Sequence, residues 1–400
     1  MYLELYGSAL DRIGYSTYYL AELDDEFEAQ LNLNERNFHS VNTLLPKEYS
    51  KRWSLEWIRL VCQNKLRIFQ RKLKHYFRRA LGINALNNAF VDFDLLADNL
   101  RILEKVNFRP DLIVCMYLDM TRVTAKSRRA FRNLNINWIG LLFHPEPVDY
   151  RFKQVRNSWF RDASNRGGIF FTPKFLESYQ LVARNDQIFD VFPDVTVLRE
   201  GHSLDLDLNI AKLARGRRII GLIGAIDGNK KLVREFLDLS NHDSLNDFFF
   251  VVAGEVYRDS LDPETLDKLD ELSKSSRDNL IIYNHYISSE SNFDYLIKST
   301  DIIFACYKNF DSSANILAKS AHFRKPLLAT ANTWVGDQVE KYRLGIAVQD
   351  FNLDSLAKSI LQLTSPENDF GFDDYKNQVS FENLQDHLKN FLDRLWGSAN

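Results

Sequence analysis

Four residues, Asp311–Ser312–Ser313–Ala314, precede a run expected to be helical, Asn315–Phe323. An apolar run expected as a strand, Asp301–Tyr307, leads into them, and Pro326 opens the next, Pro326–Thr330. The mouth of a helix offers unpaired backbone N–H groups and the positive end of the helix dipole. Small side chains there let a phosphate come close to the backbone. A second set of the same character lies in the stretch GLIGAIDGNKKL. Gly224 follows an apolar run, and Lys230 and Lys231 supply positive charge of the kind that stabilises a departing anion. His144 ends the apolar run of NWIGLLFHPEPVDYRF, with Glu146 just beyond it. A polar residue at the carboxyl end of a parallel strand lies where open α/β sheets bind ligands. Each of these residues also has a plainer reading. Asp311 is equally an N-cap, Lys230 a surface lysine in a turn, and His144 a hydrogen-bonded structural histidine.

The elements that must position these residues alternate between strand-like and helix-like runs along most of the chain. That alternation argues for parallel sheets covered on both faces. In the first half, strands are expected at Tyr2–Gly7, Asp111–Leu118, Asn137–Phe143 and Gly168–Thr172. In the second half they fall at Ile219–Ile226, Phe248–Gly254, Leu280–Ile287, Asp301–Tyr307, Pro326–Thr330 and Leu344–Val348. Phe192–Leu206, which contains Pro193 and Gly201, reads as a linker. The run Phe381–Trp396 carries Leu384, Leu388, Phe391, Leu392 and Leu395 at helical spacing. Two domains are expected, over residues 1–200 and 201–375, with a helix at 376–400 crossing back to the first.

Composition narrows the function classes. The chain has 400 residues, 45% apolar and 26% charged, with a net charge of −3, which does not fit a general nucleic-acid binder. Cys62, Cys115 and Cys306 are odd in number and far apart, which fits reduced thiols and a cytoplasmic protein. No apolar run reaches spanning length. Lys51–Leu81 is the exception to the even charge: ten Lys or Arg face one acid, Glu56. Trp53, Trp57, Val61, Phe69, Leu73, Phe77 and Leu81 recur there at four-residue spacing, as on a basic amphipathic helix. Such a helix docks on an anionic membrane surface, at the inner face of the membrane, packs its apolar side on its own domain, or meets an anionic acceptor or partner protein. There is no Walker loop, zinc-type Cys/His spacing, Gly-x-Ser-x-Gly elbow, full Gly-x-Gly-x-x-Gly or Asp-x-Asp at a strand end.

The segment from Asp301 to Val348 resembles the nucleotide-sugar site of GT-B glycosyltransferases, particularly the large retaining family 4. The resemblance covers about Gly221 to Val348 in order and the first half in fragments. It implies an α/β GT-B fold, two Rossmann-like domains whose parallel sheets face a central cleft. In that family a Glu, seven residues and a second Glu precede a Pro that opens the next strand. The first Glu lies near the sugar and the second holds the ribose hydroxyls. Counted back from Pro326, Asp311 takes the first position and Lys319 the second. Ser312, Ser313 and Ala314 replace the usual Gly-Phe-Gly loop on the diphosphate. Lysine cannot accept a hydrogen bond from a ribose hydroxyl, so nucleotide recognition must differ here; its plainer reading is a solvated helix position. Gly224 and Lys230 match the family, while Ala225 stands where Arg is usual. Gly14, in an opening read as strand, loop and helix, matches the glycine that approaches the donor. His144 resembles the acceptor-side His, and Tyr286 lies where the base would stack.

The resemblance implies transfer of a sugar from a nucleotide-diphosphate sugar to a glycan, lipid-linked glycan or small molecule. Retention of configuration and independence of metal or other cofactor come with it. Under that reading His144 and Asp311 act on the sugar and acceptor. Gly14, Gly224, Lys230, Lys231, Tyr286, Ser312–Ala314 and Lys319 form the donor site. The altered positions keep a rival open, a GT-B protein that binds a glycan or protein without turnover. A membrane-docked scaffold and a nucleotide-sugar epimerase are further alternatives.

Overall fold

The computed structural model describes residues 2–14, 110–115, 118, 129, 131–133, 135–145, 147–149, 154–155, 160, 162–198, 210–275, 277–287, 289–308, 310 and 312–397. The chain divides into two compact units, one of Met1–Leu5, Phe171–Lys174 and Val191–Asn390, the other of Tyr6–Phe170, Phe175–Asp190 and Phe391–Asn400.

The chain opens with a helix, α1 (Tyr2–Arg12), where the sequence reading expects a strand over Tyr2–Gly7. The alternation Leu3–Glu4–Leu5 imitates period two. Leu, Glu and Ala are strong helix formers, however, and Leu5, Tyr6 and Ala9 are buried at helical spacing. The second unit holds a four-stranded sheet in the order β1-β2-β5-β6. Its strands are β1 (Leu112–Cys115), β2 (Asn137–Leu142), β5 (Asn165–Phe170) and β6 (Ile188–Val191). A two-stranded antiparallel pair, β3 (Val148–Asp149) with β4 (Gln154–Val155), lies between β2 and β5 in sequence. The helix α2 (Leu176–Val182) contributes Tyr179 to an aromatic cluster with Phe160, Phe170 and Phe189. Strand β6 has no counterpart in the sequence reading: IFDV is short and interrupted by an acid.

The first unit is built on six parallel strands in the order β12-β11-β10-β7-β8-β9. They are β7 (Arg218–Ile223), β8 (Phe248–Ala253), β9 (Leu280–Tyr283), β10 (Ile302–Ala305), β11 (Leu327–Thr330) and β12 (Gly345–Val348). Strands covered on both faces bury nearly every residue, only Arg218 at the start of β7 being exposed, which is why RIIGLI, FFFVVA, IIFA and LLAT read as largely apolar runs. One face is covered by α4 (Val233–Leu239), α5 (Pro263–Lys274) and α9 (Leu353–Leu363), through Phe236, Leu237, Leu269, Leu356 and Ile360. The other packs against α3 (Ile210–Ala214), α6 (Glu290–Ser299), α7 (Asn315–Phe323), α8 (Trp334–Lys341) and α10 (Phe372–Gln378). The final helix, α11, spans Phe381–Gly397; its end lies in the four-stranded unit, where Arg394 pairs with Asp190.

The order of the six strands fixes where a ligand can sit. From β7 the chain builds outward through β8 and β9, then returns to the other side of β7 with β10, β11 and β12. The connections leaving β7 and β10 therefore lead to helices on opposite faces of the sheet, and the carboxyl ends of those two strands are where open α/β sheets of this kind bind ligands.

Candidate functional site

The chain leaves β7 through Gly224, whose φ of +89° suits a residue without a side chain. Its N–H bonds the Ala253 carbonyl at 2.9 Å, and a Cβ there would sit 3.5 Å from Phe293 and 3.8 Å from the Lys231 amine. Gly224 thus leaves room beside that amine. A tight turn follows, in which Lys230 and Lys231 donate backbone N–H groups to the Asp227 carbonyl at 3.0 and 2.8 Å. The turn sends the two neighbouring lysines to different places. Lys230 is exposed, with its amine 6.0 Å from the Phe310 ring centre. Lys231 is only 7% exposed, and its Nζ donates to the Ile223 carbonyl at 2.7 Å, at the carboxyl end of β7. Burial pushes its pKa down to about 7, against the opposing pull of Asp227 and with a smaller push from Lys230.

The connection leaving β10 forms the other wall. Tyr307 bridges to Lys231, the Lys308 N–H bonds the Lys230 carbonyl at 2.8 Å, and the Leu232 N–H bonds the Cys306 carbonyl at 3.2 Å. The two connections are thereby stitched together. Ser312, Ser313 and Ala314 are half-buried at the mouth of α7, and Ala314 occupies the N-cap without a side-chain hydrogen bond to the helix. Ser313 Oγ donates to the carboxylate of Asp194 at 2.5 Å. Asp311 lies outside the described residues.

Lys319 stands one turn into α7 and is not the solvated position its sequence suggests: it is 0% exposed. Its Nζ donates to Asp294 Oδ1 and to the Val197 carbonyl at 3.1 Å, and pairs with Glu290 Oε2 at 2.9 Å. The amine also lies 5.6 Å from the centre of the Phe293 ring, whose Cε2 and Cζ atoms come close to Gly224. Charge and aromatic packing therefore join the α6–α7 contact to the end of β7. Glu290 and Asp294 are one turn apart on α6 and face the same way.

Tyr286, beyond β9, is 72% exposed rather than part of the core. Tyr257, beyond β8, is also exposed; burial, then Glu255, Tyr286 and Asp227, raise its pKa, which sets the two rings in one electrostatic neighbourhood. Asn284 accepts the Val256 N–H at 2.9 Å and ties these two loops. In the four-stranded unit, His144 is exposed just past the carboxyl end of β2, as the sequence reading expects. Gly14, at φ +96°, closes the turn after α1 with its N–H on Asp11 at 3.2 Å. Where a strand is expected to open this stretch there is a helix ending at Arg12, two residues before this glycine, and residues 15–23, where the following helix is expected, lie outside the described residues. Glu146 and Lys51–Leu81 lie outside the described residues.

The structure thus brings Gly224, Lys230, Lys231, Ser312, Ser313, Ala314 and Lys319 together at one edge of one sheet. Glu290, Asp294 and Tyr257 were not singled out from sequence. For the two acids the available signal was only their four-residue spacing, which puts both on one face of a helix.

No family model matches the chain, and no curated protein matches its sequence. Solved structures do. A trehalose-phosphate synthase (UDP-forming) from Burkholderia vietnamiensis superposes with a TM-score of 0.54 at 12% identity, covering 77% of each chain. The N-terminal domain of Candida albicans trehalose-6-phosphate phosphatase gives 0.54 at 13% identity, over 79% of this chain and 76% of the other. Anabaena HepE in complex with UDP gives 0.52 at 12% identity, over 75% and 82%. The chain has the GT-B fold, the architecture of the glycosyltransferases that its second half resembles in sequence.

Proposed function

We propose that this chain is a glycosyltransferase that takes its sugar from a nucleotide-diphosphate donor. The observation that carries the reading is the buried Lys231 amine beside Gly224 at the carboxyl end of β7, in a turn whose backbone pairs with the connection that leads from β10 to α7. A diphosphate seated there meets an ammonium, the exposed Lys230 and backbone N–H groups of Ser312–Ala314. These are the groups that stabilise charge as the diphosphate leaves. Lys231 also answers the missing Arg at Ala225: the second cation comes from the next residue in the turn. Tyr286, with Tyr257, offers a stacking surface for the base. On the acceptor side we assign His144 to the reacting hydroxyl and Asp311 to the sugar. The acceptor is a glycan, a lipid-linked glycan or a small molecule. Transfer with retention and without metal follows from the family 4 resemblance.

A second reading, a GT-B protein that binds without turnover, is favoured by the Ser313–Asp194 contact, which puts a carboxylate at the seat of the diphosphate. The trehalose-6-phosphate phosphatase domain shows that this fold also occurs in proteins named for other activities. Titration with UDP-, GDP-, ADP- and TDP-sugars, read by thermal shift and released diphosphate, separates the two. Stabilisation with slow hydrolysis of one donor supports transfer. Stabilisation without release over long incubation supports binding alone, and silence across the panel contradicts the transferase.

We place the protein in the cytoplasm, with Lys51–Leu81 docking it on the inner membrane face. Co-sedimentation with vesicles of anionic lipid should weaken steeply as salt rises, because charge attraction is screened. Salt-independent or absent binding returns that segment to packing within its own domain.

A further inference from the structure

We infer that Glu290 is the residue through which this site recognises hydroxyl groups of its ligand, held in place by Lys319 and Asp294 as positioning residues. The inference rests on the nucleotide-sugar reading above and adds a specificity residue to it. Three charged side chains meet between α6 and α7, and they are unequal. The Lys319 ammonium is fully buried, donates to Asp294 and to the Val197 carbonyl, and forms an ion pair with Glu290 Oε2 at 2.9 Å, so it is turned toward the protein rather than outward. Asp294 is closed off as well, at 3% exposed. Glu290 alone reaches solvent: its Oε2 is buried against Lys319, yet its side chain is 39% exposed, so what faces outward is Oε1 and the stem.

Its place on the backbone is also fixed. Glu290 opens α6, a ten-residue helix capped by Ser289, whose hydroxyl accepts the Asn292 N–H at 3.1 Å. The helix follows β9, so this end lies at the carboxyl edge of the sheet, where an acid in the first turn is favoured by the helix dipole. Phe293, in the same turn, packs toward Gly224 and the Lys319 amine. A carboxylate pinned by one oxygen and open at the other can only accept hydrogen bonds. It repels a phosphate and suits the hydroxyl donors of a sugar ring. Ribose and the transferred sugar both carry such groups, and the two sources are separable by experiment.

The test measures affinity of wild type and Glu290→Gln for UDP, GDP and ADP, their 2′-deoxy counterparts, and UDP-glucose against UDP. Wild type is expected to prefer a ribonucleotide over its deoxy form by about tenfold, the worth of one hydrogen bond to a charged group, and Glu290→Gln to lose that preference. A preference lost only for UDP-glucose over UDP assigns the hydroxyls to the transferred sugar. Glu290→Asp keeps the charge beside Lys319 but withdraws the outer oxygen by one methylene, and it should lose the same discrimination if the glutamine variant folds poorly. Unchanged discrimination in a folded variant overturns the inference while leaving the donor site standing. A wild type that binds none of these nucleotides overturns the transferase reading itself, and this inference with it.

Discussion

Lys231 and Lys319 are both buried lysines in the same unit, joined through the ring of Phe293, and their surroundings are opposite. Lys319 has two carboxylates and a carbonyl around its ammonium. Lys231 is buried with the Ile223 carbonyl as its acceptor and, among the described residues, no carboxylate at ion-pair distance, and its pKa falls to about 7. Burying a charge is costly unless it is paired and hydrogen-bonded. The fold meets that cost at Lys319 and leaves it largely unmet at Lys231. An ammonium whose charge is already answered locks two helices together. An ammonium with no anion beside it among the described residues is the one to which the proposed diphosphate would bring a counter-charge.

The largest effect that could break this comparison is expected at Lys319. Lys319→Met leaves Asp294 and Glu290 without their cation, and denaturant unfolding should show a loss of about 3–5 kcal/mol, typical of a broken buried pair. A loss under 1 kcal/mol would make Lys319 no more structural than Lys231. Next in size is Lys230→Ala. Because this side chain is exposed, the melting temperature should hold within a few degrees while donor affinity falls about tenfold, as for one lost charge-assisted contact. Undiminished affinity would remove Lys230 from the site.

A smaller effect sharpens the contrast through pH. The folded pKa of Lys231, about 7, lies below its ordinary 10.5, so between these values the unfolded chain binds the extra proton. Its contribution to stability therefore rises with pH above 7. The window to use is pH 7 to 8.5, because burial raises the pKa of Cys306, Tyr307 and Tyr375, and those groups oppose the trend once their unfolded forms ionise. Wild type should gain stability over Lys231→Met across that window in urea titrations. A constant difference would show that Lys231 keeps its proton throughout.

What the sequence disclosed follows the same physics. The six strands of the larger sheet and the bounds of α7, Asn315–Phe323, were legible because doubly covered strands leave largely apolar runs and Pro326 marks the next strand. The helix at Tyr2–Arg12 was not, since a short Leu-Glu-Leu alternation fits both periods. Which of Lys230 and Lys231 turns inward is decided by one tight turn, below the resolution of any pattern. Lys319 reads as a broken motif in sequence because its partners lie 25 and 29 positions away on another helix. Only folding brings these two acids of α6 to the lysine of α7.

The most direct test of the account titrates wild type and Lys231→Met with UDP, GDP, ADP and TDP by calorimetry at pH 6.5 and 8.5. The account predicts that one nucleotide binds wild type, more tightly at pH 6.5 and with proton uptake near neutrality. Lys231→Met should bind it about a hundredfold more weakly at pH 6.5, the upper range for a hydrogen bond to a charged group. Equal affinity in the two proteins, with no dependence on pH, would contradict the assignment of the diphosphate to the carboxyl end of β7.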